Sequence, residues 1–236
     1  MNRFLLIILF ISVFIIISCK GKRSGNNNKV DPETIYFDYK ITGEEGDNNL
    51  TVMLQYRDGS EEGAAISIGE WGRVTLDGET VPGDSTKMTG VFYEFHKTIA
   101  TFAGKHSIVF TDFNKKEYKE EFNFQPFSLL TPVADTLQRS ELLFDPMVIG
   151  FAGLETEDYV RVLLTDTSFA NDGINRVDTV RGGRVTITET DLKNLANGPV
   201  QLEFIREYER PIRNGTERGG KLSINYSLKR EFILND

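Results

Sequence analysis

Hydrophobic and polar residues alternate with a period of two along most of the chain. "TIYFDYKI" (34–41) places Ile35, Phe37, Tyr39 and Ile41 on one side and polar neighbours on the other. "LTVMLQYR" (50–57), "RVTL" (73–76), "GVFYEFHKTI" (90–99), "HSIVFTD" (106–112) and "YKEEFNF" (118–124) follow the same rule, each bounded by Gly, Asn, Asp or Pro. Successive side chains on a strand point to opposite faces, so these runs predict half-buried strands. "FTDFNKKEYKEEFNF" predicts a hairpin that turns near Asn114 and Lys115. Nothing between residues 30 and 127 carries the period of an amphipathic helix. A succession of short strands of this kind suits an antiparallel sandwich.

"NFQPFSLLTPVADT" (123–136) breaks the rhythm with Pro126 and Pro132, which places a boundary between a first domain, 31–127, and a second, 128–236. Alternation resumes in "DPMVIGFAG" (145–153), "DYVRVLLTDT" (158–167), "NRVDTV" (175–180), "RVTIT" (184–188), "GPVQLEFIREYE" (198–209) and "GKLSINYSLKREFIL" (220–234). In "TETDLKNLANGPVQLEF" (188–204), Asp191 is expected to cap one helical turn with Leu192 and Leu195 inward. Gly198 permits the reversal, and a strand leaves through Val200, Leu202 and Phe204. This resembles the E–F corner of immunoglobulin-like domains in bacterial surface and periplasmic proteins, and "AGKHSIVFTD" (103–112) looks like its counterpart in the first half. The resemblance implies an all-β chain of two tandem immunoglobulin-like antiparallel β-sandwiches. The halves share a strand pattern without residue-by-residue repetition.

The N-terminus differs in kind. Phe4–Ile17 is apolar except for Ser12, with Arg3 in front. As a helix it reaches ~21 Å against a hydrocarbon core of ~30 Å, which suits a secretory signal better than a membrane span. "IISC" (16–19) resembles the lipobox of bacterial lipoproteins. The resemblance implies that residues 1–18 are removed and that Cys19, the single cysteine, is lipidated. Residues 19–30 then form a flexible tether. Several acyl chains, each CH₂ contributing ~0.8 kcal/mol on burial, anchor stably where one is marginal. The alternative is an uncleaved anchor helix with an incidental cysteine. The basic residues Lys20, Lys22 and Arg23 depart from the acidic start that is common after the lipidated cysteine in surface-exposed lipoproteins of Bacteroidota. The expected location is therefore the periplasmic face of an outer membrane.

Five of the 27 basic residues and none of the 35 acidic ones precede Val30, so the rest carries 22 against 35, about −13. A body this acidic is repelled by phosphate backbones, which argues against nucleic-acid partners. With Cys19 lipidated, no thiol remains for a disulfide, and the fold must rest on its core.

Candidate chemistry is sparse. His96 and His106 are the only histidines. Neighbours on a strand face opposite ways, so His106 and Ser107 are not expected to pair as base and nucleophile. No spacing of His, Cys and carboxylates suggests zinc, and no cofactor motif is present. Glu61–Glu62, Glu155–Glu157–Asp158 and Glu207–Glu209 are acid pairs that read as solvated faces before they read as a glycosidase dyad. "DTSFANDGIN" (166–175) gathers Asp166, Asn171, Asp172 and Asn175, though Asp172–Gly173 is a sufficient hairpin turn without calcium. Trp71, between Gly69 and Gly72, is the one candidate platform for a sugar ring, set against ordinary burial in a core. "DST" (84–86), "DTL" (135–137) and "DTV" (178–180) look like O-glycosylation acceptors of exported Bacteroidota proteins. Three function classes follow, in order: a non-catalytic binding or assembly module with an envelope protein or glycan as partner, a carbohydrate-binding accessory lipoprotein of a glycan-uptake system, and an envelope hydrolase.

Overall fold

Ile35, Phe37, Tyr39 and Ile41 all point into the core from the first strand, β1 (Ile35–Glu44), as their alternation predicts. The computed structural model describes residues 30–69, 72–168 and 173–236. In the first half, β1, β2 (Asn49–Asp58), β6 (Gly90–Thr98) and β5 (Gly83–Thr86) pair in that order. They face a second sheet ordered β4 (Glu79–Thr80), β3 (Arg73–Leu76), β7 (Gly104–Thr111), β8 (Glu117–Phe124). Aromatic rings fill the space between. Phe37 meets Phe110 and Tyr118 edge-on, and Tyr56 lies 4.9 Å from Phe110. The β7–β8 hairpin turns where predicted, with Lys115 at positive φ.

The second half adds β9 (Ser128–Leu129), β10 (Thr136–Gln138), β11 (Met147–Ala152), β12 (Tyr159–Asp166), β13 (Ile174–Thr179) and β14 (Arg184–Ile187). A single helical turn, α1 (Glu189–Leu192), then leads into a long hairpin of β15 (Gly198–Thr216) and β16 (Gly219–Asn235). β14, β11 and β9 form the smaller sheet, which packs on β12 and β15 through contacts such as Phe151–Phe204. The fold is all-β, with sheets packed as sandwiches.

At the corner before β15, Leu192 and Leu195 are buried as expected. The cap itself is Thr188, with Asp191 inside the first turn, where it accepts from the Thr188 N–H at 2.8 Å and so completes a capping box. The carbonyls of Leu192 and Leu195 receive the Arg139 guanidinium. Gly198 (φ 120°) and Gly104 (φ 123°) take nearly the same positive φ at the start of β15 and β7.

Hydrogen bonding does not divide at residues 127/128. β16 pairs in parallel with β1, from Phe37 opposite Gly220 to Glu44 opposite Ser227, which makes one main sheet ordered β13-β12-β15-β16-β1-β2-β6-β5. The hairpin strands, 19 and 17 residues long, extend ~60 Å at ~3.3 Å per residue, well beyond one sandwich. Their outer ends therefore belong to the first half. The expected linker is packed as well: Phe124 and Phe127 are buried, and both ring faces meet Tyr226 edge-on.

Candidate functional site

Along β15 the even-numbered residues face inward. Val200, Leu202 and Phe204 are fully buried in the second half, and Ile212 is buried in the first. Between them the same face carries Arg206, Tyr208 and Arg210, opposite Tyr226, Ile224 and Leu222 on β16. The shared sheet thus exchanges core residues for basic and phenolic ones where the two sandwiches meet. A cleft of about 730 Å³ opens there, its far wall built by β7 and β8.

That wall is held by two polar arrangements, one buried and one nearer the surface. Glu120 occupies an inward position on β8 and is 1% exposed. Its Oε2 accepts from the Arg213 N–H at 2.7 Å, and its Oε1 lies 2.5 Å from Arg210 Nη2 as an ion pair without hydrogen-bond geometry. Arg210 also donates to the Glu121 carbonyl at 2.7 Å, and Asn214 donates to that of Lys119 at 2.9 Å. These bonds lock the edge of β8 against β15. Arg206, deeper in the cleft, pairs with Asp158 at 3.3 Å.

The second arrangement centres on His106. Its Nδ1 lies 2.7 Å from Asp77 Oδ2 and its Nε2 lies 2.7 Å from the Phe102 carbonyl, while the ring stacks on Phe102 at 3.7 Å. Asp77 reaches it from the tight β3–β4 turn and also accepts from the Ser107 N–H. Both ring nitrogens face groups of the protein itself, so neither is turned toward a ligand in the cleft. His106 and Ser107 stay apart, as strand geometry predicts.

The rim is more open. Lys105, Arg213, Asn123 and Gln125 are exposed, and Tyr208 is 47% exposed. Lys119 pairs with Glu121 at 2.6 Å and, with Lys105 and Arg213 farther off, holds its carboxyl below the usual carboxylate range. Burial raises the Tyr226 phenol on the cleft floor.

The other candidates fall elsewhere. Cys19 and Trp71 lie outside the described residues, as do Asn171 and Asp172. Asp166 accepts from the N–H groups of Ser168 and Ala196, and Asn175 accepts from Arg161, so both are tied into local structure. Among the described residues no group of three or more His, Cys, Asp or Glu is placed to hold a metal. Glu207 binds Arg161, Glu209 binds Ser223 and Glu61 binds Lys221 on solvated faces. Glu155 and Glu157 are exposed, while the half-buried Asp158 is the partner of Arg206. His96 stands on the surface beside Thr51. The stripe Arg206–Tyr208–Arg210 was not singled out by sequence reasoning, although its signal is there: in "VQLEFIREYERPI" the apolar even positions give way for three places and then return.

No family model matches the chain, and no curated protein matches it. Solved structures resemble it distantly. The two immunoglobulin domains of DIP-gamma align over 86% of this chain and 97% of that one, at 10% identity and a TM-score of 0.25. A Bacteroides ovatus protein of a mixed-linkage glucan utilization locus, SGBP-B, solved with a heptasaccharide, aligns over 88% of this chain and 45% of its own, at 12% and 0.24. A bacterial ice-binding adhesin aligns over 87% and 66%, at 11% and 0.25. Likenesses at this level carry no argument about a shared role.

Proposed function

We propose that the chain is a lipid-anchored protein of a bacterial cell envelope, held on the periplasmic face of the outer membrane, that binds a partner at the seam cleft without transforming it. The observation that carries this is the inward stripe Arg206–Tyr208–Arg210. Three successive positions that could have completed a continuous core instead present polar groups to an open cleft. Burying such groups costs free energy unless they are partnered, and a cleft of this size is ordinary for ligand recognition. Support for a non-catalytic role comes from His106, whose nitrogens are both engaged, and from the acid pairs, which do not face one another across the cleft. The lipobox-like "IISC" and the basic residues after Cys19 support the anchoring and the side of the membrane.

The test is co-sedimentation of the full-length protein with fractionated envelope material. Retention of one component that is lost with Tyr208→Ala and Arg206→Gln is the expected result. Equal retention by both variants would remove the cleft from the proposal, and turnover of the retained component would overturn the non-catalytic assignment.

A further inference from the structure

We infer that the cleft takes an acidic oligosaccharide of the uronate type, with its carboxylates met by Lys105 and Arg213 and a sugar ring lying against Tyr208. This rests on the proposal that the cleft is the docking site.

The basic side chains of the cleft divide into committed and free. Arg210 is held by Glu120 and the Glu121 carbonyl, Arg206 by Asp158, and His106 by Asp77 and Phe102. These build the walls. The side chains of Lys105 and Arg213 make no hydrogen bond or ion pair among the described residues, yet both act on Glu121 and so reach the same part of the rim. In a body of about −13, from 22 basic and 35 acidic residues, Lys105 and Arg213 stand beside a Glu121 that Lys119 already pairs, and so form a local exception. They favour a short anionic ligand that the surrounding charge would otherwise repel.

The remaining lining fits a sugar. Asn123 and Gln125 bring exposed side-chain donors and acceptors that make no hydrogen bond among the described residues, suited to ring hydroxyls. Tyr208 offers a half-exposed ring whose apolar face matches the C–H face of a pyranose. A peptide binding as an added strand would need the backbone edge of β8. There the carbonyls of Lys119 and Glu121 are already occupied by Asn214 and Arg210.

The experiment is calorimetric titration of the full-length protein with three probes: a short oligogalacturonate, its carboxyl-reduced neutral counterpart, and an oligoglutamate peptide of equal charge. Oligogalacturonate should bind, and the reduced form should bind about tenfold more weakly, since two partly exposed ion pairs give a factor of this order. Raising salt from about 0.1 to about 0.5 M should close that gap by screening. K105Q/R213Q should lose about tenfold toward the acid probe only, and Tyr208→Ala should lose about tenfold toward both sugars, each with an unchanged unfolding midpoint. Equal binding of the reduced sugar with sensitivity to Tyr208→Ala would overturn the acidic ligand and leave the docking site standing. Binding of oligoglutamate at equal or greater strength would overturn the saccharide. Oligogalacturonate binding that ignores all three substitutions would sink the inference and the docking site together, and absence of binding would overturn the inference.

Discussion

Phe37 and Gly220 sit opposite each other across the parallel pairing of β1 and β16. A Cβ on Gly220 would come within 2.7 Å of Phe37 Cβ and 2.9 Å of Ile212 Cγ1, so only glycine lets the two backbones approach this closely. The contact joins the first strand of the chain to the last. Gly220→Val should therefore destabilise the whole fold, by about 2–3 kcal/mol for an overpacked core position. Urea unfolding measures this, and a loss well under ~0.5 kcal/mol, ordinary for a free surface site, would show that the strands do not meet there.

Because β16 serves both halves, the protein should unfold in one cooperative step. Limited proteolysis should leave one resistant core that includes both halves, since Phe124 and Phe127 are packed against Tyr226 and the segment between them is short. Two stable fragments of similar size, or two separate calorimetric transitions, would instead support two domains divided at residues 127/128.

Glu120 and Arg210 form a buried pair of which neither member is tolerable alone. Glu120→Gln or Arg210→Met should each cost about 3–5 kcal/mol by leaving an uncompensated charge or donor inside. Replacing both with methionine should recover most of that loss, because the desolvation penalty leaves with the charges. Equal losses for the single and double substitutions would mean the pair acts through packing alone.

Alkaline pH probes the aromatic core. Burial raises the Tyr118 phenol to about 12, helped by its hydrogen bond to Glu33, and burial also raises Tyr39 and Tyr56. A folded pKa above the unfolded value of ~10 gives stability that is full below ~10 and is lost as pH climbs toward about 12. Stability should hold steady from neutrality to about pH 10 and then fall, with tyrosinate absorbance rising together with loss of structure. Tyrosinate that forms in full while the fold persists would contradict this.

If Cys19 carries the proposed lipid, Cys19→Ala should move the protein from the membrane to the soluble fraction, because without acyl chains only a short apolar run is left to hold it. Continued tight association of the variant would identify Phe4–Ile17 as an uncleaved anchor.

Strands were legible wherever alternation met one buried face, as in β1, β8, β12 and β16. The corner glycines were legible because a positive φ is a local demand. The joining of the halves was hidden, since parallel pairing between distant strands leaves no local mark and β1 reads the same in either arrangement. The cleft was half visible. Arg206, Tyr208 and Arg210 break an apolar register in plain sequence, whereas Asp77, His106 and Glu120 reach the seam only through the second sheet. Asp77 shows the same limit: it was readable as a turn residue, but its partner His106 was set by packing.

Val30 enters the body beside the tip of the β15–β16 hairpin, where Thr216 donates to the Ile35 carbonyl and Lys116 to Glu33. From there β1 and β16 run the same way, toward the opposite pole. A pull on the N-terminus against a load carried at that pole would therefore draw the two strands lengthwise past each other. Bonds loaded in shear share the force, whereas bonds loaded at one end part in sequence. The eight facing positions from Phe37–Gly220 to Glu44–Ser227 would have to yield together. The pairing that joins the halves thus also acts as a mechanical clamp.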